Sequence, residues 1–133
     1  MYFFGSRRPL RGKTEISEEG SIWVSERVGN EWGEPQFFRS GLMFVSVTKS
    51  DDLYSTNISL DEGEDGYSFT VKLPLVDGEY LEPVSVYGPE GQVNKKTHPC
   101  IAPDESYMIF DEVRREGFGE ADLYISYRKP DGN

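Results

Sequence analysis

Short runs of β-branched and aromatic residues recur along the chain, and each is bounded by glycine, proline, aspartate or asparagine. Runs of this length and composition are typical of β-strands joined by tight turns. The best helical candidate, residues 110–120, is interrupted by Gly117 and Gly119 after roughly two turns. The pattern therefore predicts almost no helix and about ten strands. The predicted strands cover residues 2–5, 21–27, 32–38, 43–48, 53–58, 67–73, 80–86, 99–102, 106–110 and 123–128.

Three phrases of the sequence recur at similar spacings. "GNEWGEP" (29–35) and "DGEYLEP" (77–83) place Trp32 and Tyr80 48 residues apart. "FVSVTKSDDLY" (44–54) aligns with "HPCIAPDESYM" (98–108) at a spacing of 54. "SIWVSER" (21–27) aligns with "DLYISYR" (122–128), and "YSFTVKL" (67–73) is a weaker copy. These phrases predict a repeated unit of four antiparallel strands, named a to d in chain order, and such units are typical of β-propeller blades.

The same motifs resemble the TolB-like β-propeller repeats, the Pro-Asp relatives of WD repeats. The matching pairs are His98-Pro99, Pro103-Asp104, Arg8-Pro9, Phe118-Gly119 and Asp122-Leu123, with a Trp-x-Glu-Pro-like blade end at 32–35 and 80–83. The middle unit departs from the pattern, because Ser50-Asp51-Asp52 replaces Pro-Asp. Members of that family serve as scaffolds, peptide-binding partners and non-catalytic halves of peptidases. The resemblance therefore implies a propeller with a binding or scaffold function, although fold alone does not carry function.

The expected fold is one all-β domain over residues 1–133, made of antiparallel four-stranded β-propeller blades, about three per chain. Its repeat units, 1–42, 43–97 and 98–133, hold three, four and three strands, since the first lacks strand a and the last lacks strand d. Three blades do not close a ring, and an open arc exposes apolar faces and strand edges. Two interpretations follow: an excerpt of a longer propeller, or a half propeller that forms a six-bladed ring with a second copy. The homodimer is preferred here because Met1 begins the chain.

Charge and composition limit the classes of partner that the chain can bind. The net charge of −10 disfavours nucleic acid and anionic membranes, because both are bound through lysine and arginine. No apolar run is long enough to span a membrane, no signal peptide is recognisable, and a single cysteine forms no internal disulfide. The chain as given predicts a soluble, cytoplasmic protein, or a periplasmic one if a leader has been removed.

Candidate binding residues lie in the two outer loops between strands b and c. Arg7, Arg8, Arg114 and Arg115 occupy equivalent loops of the first and last units and predict a basic rim for a peptide or small ligand bearing a carboxylate. The alternative is that these arginines form salt bridges with Glu18, Glu19, Glu112 and Glu116. The repeated aromatic residues Trp23, Tyr124, Trp32 and Tyr80 are expected to serve packing, with stacking on a ligand as the alternative.

No catalytic, cofactor or metal site is expected. His98 and Cys100 lie two apart on a predicted strand and should share a face, but there is no second histidine or cysteine to complete a zinc set. The acidic stretch 61–66 lacks the spacing of a calcium loop. The second candidate function is a propeller-type glycan hydrolase with carboxylates on its loops, which a pair of perturbed carboxyl groups in one pocket would favour.

Overall fold

A computed structural model describes residues 1–16, 20–58, 69–86, 96–114 and 117–130. The described residues form fourteen strands and no helix, so none of them forms a helix that could cross a membrane. In the first half of the chain the strands are β1 (Tyr2–Ser6), β2 (Ser21–Ser25), β3 (Arg27–Val28), β4 (Glu31–Trp32), β5 (Gln36–Ser40), β6 (Leu42–Val47) and β7 (Leu53–Asn57). In the second half they are β8 (Phe69–Leu73), β9 (Leu75–Val76), β10 (Glu79–Tyr80), β11 (Val84–Ser85), β12 (Thr97–Ile101), β13 (Tyr107–Glu112) and β14 (Asp122–Tyr127).

The strands form three antiparallel sheets and two small hairpins. The first sheet has the order β1-β2-β5, the middle sheet β6-β7-β8-β11, and the third sheet β12-β13-β14. The hairpins β3–β4 and β9–β10 connect neighbouring strands of the first and middle sheets. The all-β, antiparallel prediction is confirmed, and the sheets hold three, four and three strands. Their arrangement as propeller blades stays a prediction.

Three predicted strands are divided or end early in the structure. The predicted strand 21–27 ends at Ser25, and 32–38 and 80–86 are each divided by a Gly-Glu-Pro or Leu-Glu-Pro segment. In each case the chain leaves the sheet to form a hairpin: Gly33 donates a backbone hydrogen bond to Glu26 O, and Leu81 donates one to Pro74 O. Proline cannot donate to a strand ladder, so pairing resumes only after it. Residues 67 and 68 of another predicted strand lie outside the described residues.

The last two main strands of the first and middle sheets, and the hairpins between them, begin at one constant offset. Strands β2, β3, β4 and β5 begin at 21, 27, 31 and 36, and β8, β9, β10 and β11 begin at 69, 75, 79 and 84, so each start lies 48 positions after its counterpart. Trp23 therefore corresponds to Val71 in the middle sheet. The weaker sequence phrase would instead align Trp23 with the residue two positions before Val71.

The first strands of the middle and third sheets share an irregular backbone. Phe44 and His98, 54 positions apart, both have positive φ (60° and 50°), and so do Asp51 and Glu105 (64° and 58°). Non-glycine residues rarely adopt this region. The pairing register also shifts between Met43 and Ser46 in one sheet and between Thr97 and Cys100 in the other. The alternation that placed His98 and Cys100 on one face is therefore interrupted between them.

The middle sheet is covered on both faces. Leu53, Val71 and Leu73 point towards the first sheet and form a buried cluster with Ile22 and Leu42. Tyr54 lies on the opposite face and forms a second cluster with Ile101, Met108 and Phe110 of the third sheet. Side chains alternate along a strand, so one strand supplies both clusters. The first and third sheets thus pack on opposite faces of the middle sheet, and each keeps one outer face.

Candidate functional site

Three arginines of the predicted rim lie in loops of the outer sheets: Arg7 and Arg8 follow β1, and Arg114 follows β13. Arg7 is exposed, and Arg115 lies outside the described residues. The Arg8 guanidinium lies 5.1 Å from the centre of the Trp23 ring and 5.4 Å from that of Phe4. The Arg114 guanidinium lies 3.9 Å from the Tyr124 ring, and its Nη2 is 2.6 Å from Glu112 Oε2. The salt bridge considered for Arg114 is therefore present, while Glu18, Glu19 and Glu116 lie outside the described residues.

Arg8 and Arg114 occupy corresponding positions. Each covers an aromatic residue of the third strand of its unit, and Trp23 matches Tyr124 in the repeated phrases. Each of those aromatic residues also pairs across the ladder with a phenylalanine, Phe4 or Phe110. A cation over an aromatic face is worth about 0.5–1 kcal/mol where exposed and more where desolvated. Both arginines therefore have a packing role, and the middle sheet separates the two loops that carry them.

A network of charged side chains joins the middle and third sheets. Lys72 Nζ lies 2.8 Å from Asp52 Oδ2 and 2.6 Å from Glu105 Oε1. Tyr54 OH donates to Glu105 Oε1 at 2.8 Å, and Arg128 Nη1 lies 3.0 Å from Glu105 Oε2. Each charge has an opposite charge beside it, which offsets its removal from water. We call these five residues the Lys72 network.

Burial and pairing shift the pKa values of this network. Burial alone would lower the pKa of Lys72, but its hydrogen bonds to Asp52 and Glu105 raise it to about 12. Burial and the hydrogen bond to Glu105 raise the pKa of Tyr54 to about 12. Burial opposes ionisation of Asp52 and Glu105, yet the bonds from Lys72 leave the pKa of both carboxyls lower than usual. The network is therefore charged and structural at neutral pH.

The Lys72 network predicts a stability profile that falls at both extremes of pH. Asp52 and Glu105 have lowered pKa values, so their contribution is complete above their ordinary values of 3.8 and 4.5 and is lost as the pH falls through the lower folded values. Lys72 and Tyr54 contribute fully below 10.5 and 10.0 and lose that contribution as the pH rises towards about 12. Urea unfolding at a series of pH values measures this profile. In Lys72→Met the loss of unfolding free energy at both low and high pH should be shallower. Identical profiles in the two proteins would contradict the role given to the Lys72 network.

His98 is held by a carboxylate. Its Nδ1 lies 2.7 Å from Asp111 Oδ2, and Thr97 Oγ1 donates to the other oxygen of the same carboxylate. Burial opposes ionisation of Asp111, but the bonds from Thr97 and His98 leave its pKa lower than usual. The imidazole meets the Phe44 ring edge-on at 4.1 Å between centres. This contact joins corresponding positions of two sheets, which favours the packing role over the chemical one.

A cavity of about 410 Å³ opens between the first and middle sheets. Its charged lining residues are Arg39 and Glu82, which form a salt bridge of 2.7 Å across it. The remaining lining residues include Ser40, Asn57 and Ser85. Because Arg39 is already neutralised by Glu82, the cavity offers no unpaired charge to a ligand. Its lining also contains one carboxyl group rather than the pair that glycoside chemistry needs.

The outer faces of the first and third sheets are apolar and aromatic. The ladder places Tyr2, Phe4, Trp23 and Phe37 on the outer face of the first sheet, which we call the first-sheet face. It likewise places Tyr107, Ile109, Leu123, Ile125 and Tyr127 on the outer face of the third sheet, the third-sheet face. All five residues of the third-sheet face are exposed, as are Tyr2 and Phe37. Exposed apolar surface of this kind is typical of interaction sites.

Two buried donors on the first-sheet side have no hydrogen-bond partner among the described residues. They are Trp23 Nε1 and Ser21 Oγ. Ser21 and Trp23 are two positions apart on β2, so both belong to the outer side of the first sheet. Buried donors without partners are rare in proteins.

The described site residues form ion pairs, aromatic contacts and two exposed apolar faces. Within the described ranges no group of three or more histidine, cysteine, aspartate or glutamate side chains is arranged to hold a metal ion. The acidic stretch 61–66 lies outside those ranges. Sequence reasoning missed the Lys72 network, although one signal was available: a lysine between Val71 and Leu73 in a buried strand. Comparison of the chain with protein-family models, curated proteins and solved structures finds no match.

Proposed function

We propose that this chain is a non-catalytic binding or scaffold module of about three propeller-type blades, which completes its ring with a second copy of itself. The constant offset of 48 positions between β2–β5 and β8–β11 supports a repeated unit. The shared positive φ values at Phe44 and His98 support it for the first strand of the unit. The observation that carries the proposal is the pair of apolar faces at the two ends of the stack.

Corresponding faces of the three sheets point in the same direction along the stack. In the third sheet, Phe110 and Tyr124 lie on the side that packs against the middle sheet. Their counterparts in the first sheet, Phe4 and Trp23, lie on the first-sheet face, away from the middle sheet. The first-sheet face therefore corresponds to a surface that is covered elsewhere in the same molecule. In the third sheet, the corresponding surface is covered by the opposite face of the preceding sheet in the chain, the middle sheet.

A second copy supplies the matching surface. The third-sheet face contains Leu123 and Ile125, which correspond to Ile22 and Val24 on the inner side of the first sheet. The third-sheet face of one copy can therefore pack against the first-sheet face of another, as neighbouring sheets do within the chain. Two such contacts related by a two-fold axis would close a ring of six blades. The remainder of a longer propeller would fill the same surfaces and is the alternative that the test distinguishes.

The self-association is tested by analytical ultracentrifugation at micromolar concentration. We expect a dimer of the native chain and a monomer of Ile125→Glu, because a carboxylate buried in an apolar contact is strongly disfavoured. Val76→Glu is the matched control: Ile125 and Val76 are 49% and 47% exposed, and Val76 lies on a hairpin away from both faces. A monomeric native chain, or equal loss of dimer in both variants, would contradict the proposal.

A mixing experiment tests the head-to-tail arrangement. Phe37→Glu alters the first-sheet face and should also yield a monomer. In a mixture of Ile125→Glu and Phe37→Glu, the third-sheet face of one variant and the first-sheet face of the other are both intact. We therefore expect heterodimers in the mixture at concentrations where each variant alone is monomeric. A mixture that stays monomeric at every concentration would exclude this arrangement.

The absence of catalysis in this proposal is supported by the carboxyl groups. A glycan hydrolase needs a general acid whose pKa is raised. Among the described residues, the carboxyls with a shifted pKa are Asp52, Asp104, Glu105 and Asp111, and all four are lowered. Three of them, Asp52, Glu105 and Asp111, are paired with lysine or histidine, which suits structure rather than proton transfer.

A further inference from the structure

Strand β14 has one edge paired with β13, and no described strand pairs with the other edge. Arg128 donates a backbone hydrogen bond to Ser106 O at 2.9 Å. Hydrogen-bonded pairs alternate along an antiparallel ladder, so the backbone groups of Ser126 and Tyr124 also point towards β13. Those of Leu123, Ile125 and Tyr127 therefore point towards the open edge. A six-residue strand with such an edge is a template for a further strand.

The other two sheets carry a strand at the corresponding edge. In the middle sheet, Val86 donates its backbone N–H to Thr70 O at 3.0 Å. Thr70 lies 48 positions after Ile22, the residue that the repeated phrases match to Leu123. In the first sheet, β5 pairs with β2 and sets Arg39 opposite Ile22 and Gln36 opposite Val24. Both sheets thus use this edge to pair with an extended segment.

We propose that the outer edge of β14 binds an extended peptide in trans as a fourth antiparallel strand. Backbone hydrogen bonds to Leu123 and Ile125 would supply the pairing, and side-chain contacts would supply the selectivity, as in other cases of strand addition. The inference rests on the proposed binding function and names the class of partner. It concerns the edge of the third sheet, whereas the self-association uses the third-sheet face.

The chemistry of the partner follows from β5. Phe37 of β5 lies edge-on to Trp23, with ring centres 5.8 Å apart. A peptide on β14 would place an aromatic residue against Tyr124 in the same way. The net charge of −10 and the nearby Glu112 and Asp122 favour a neutral or basic peptide over an acidic one. The expected partner is therefore an extended segment with an aromatic residue at its centre and a cationic residue after it, like Gln36–Ser40.

The experiment is hydrogen exchange of the full chain, read by NMR amide by amide, with a synthetic peptide of the sequence 34–41 at millimolar concentration. We expect exchange at Leu123 and Ile125 to slow by about tenfold, because at nine-tenths occupancy only the free tenth exchanges at its original rate. The amides of Tyr124 and Ser126, already bonded to β13, should change little. The control peptide carries N-methyl groups at the residues equivalent to Gln36 and Arg39, which removes the donors that face β14 while its side chains stay the same.

Each outcome decides the inference. Slower exchange at Leu123 and Ile125 with the first peptide and none with the methylated peptide would support strand addition. Equal protection by both peptides would indicate side-chain contact without strand pairing and would overturn it. Protection of Leu123 and Ile125 in the chain alone, or none at saturating peptide, would overturn it as well. Ultracentrifugation of the same samples separates these failures from a failure of self-association.

Discussion

Replacing Phe110 with alanine is expected to lower the free energy of unfolding by about 3–5 kcal/mol. Phe110 is 2% exposed and stacks on Tyr124 with ring centres 6.0 Å apart. The Lys96 ammonium lies 4.4 Å from the centre of its ring. Truncation would therefore leave a cavity between the middle and third sheets and remove the aromatic surface beneath a buried lysine.

Urea unfolding followed by circular dichroism measures this loss. Phe118→Ala is the matched control, because Phe118 is fully exposed in the loop between β13 and β14. The same substitution there should change the stability by less than about 0.5 kcal/mol. Similar losses in the two variants would show that the contact between the middle and third sheets does not depend on Phe110.

Lys72→Met is expected to cost about 2–4 kcal/mol of stability. Methionine keeps much of the apolar stem of the lysine, but it leaves Asp52 and Glu105 partly buried without their shared cation. The loss is smaller than for a fully buried pair, since the Lys72 side chain is 23% exposed and water still reaches it. The free energy of unfolding in urea at neutral pH is the measurement.

The Arg39–Glu82 pair provides the control. Its contact distance of 2.7 Å is as short as those of Lys72, but the Glu82 side chain is 87% exposed. Arg39→Met should therefore cost less than about 1 kcal/mol, because exposed ion pairs contribute little. A larger loss for Arg39→Met than for Lys72→Met would contradict the structural role given to the Lys72 network.

The main strands could be predicted because their signals are local. Alternation and turn residues identify β7 and β13 within a few positions of their ends. The small hairpins were missed because Arg27 and Trp32 look like continuations of neighbouring strands. These residues leave the sheet only because they pair with each other in a separate hairpin, and that pairing has no local signal. The positive φ of Phe44 had no local signal, and that of His98 had only a weak one, since histidine is enriched in this region but still adopts it uncommonly.

The candidate site was less predictable because its contacts are long-range. Lys72 and Glu105 are 33 positions apart, and no short motif joins them. The sequence placed Arg8 and Arg114 in corresponding loops, but their aromatic partners lie on strands, and stacking depends on how each loop folds back. The Arg7, Arg8, Arg114 and Arg115 rim stays a prediction, in which two members already have intramolecular contacts.

The common orientation of the three sheets has a consequence for growth. When one end of a molecule binds the opposite end of the next, each added molecule leaves a free end. The contact itself therefore sets no limit on the number of molecules in the assembly. The angle between successive sheets decides whether the series closes or continues as a filament. A substitution that flattened the angle between the first and middle sheets, far from either end, could therefore turn a closed particle into a polymer without altering any residue at the contact.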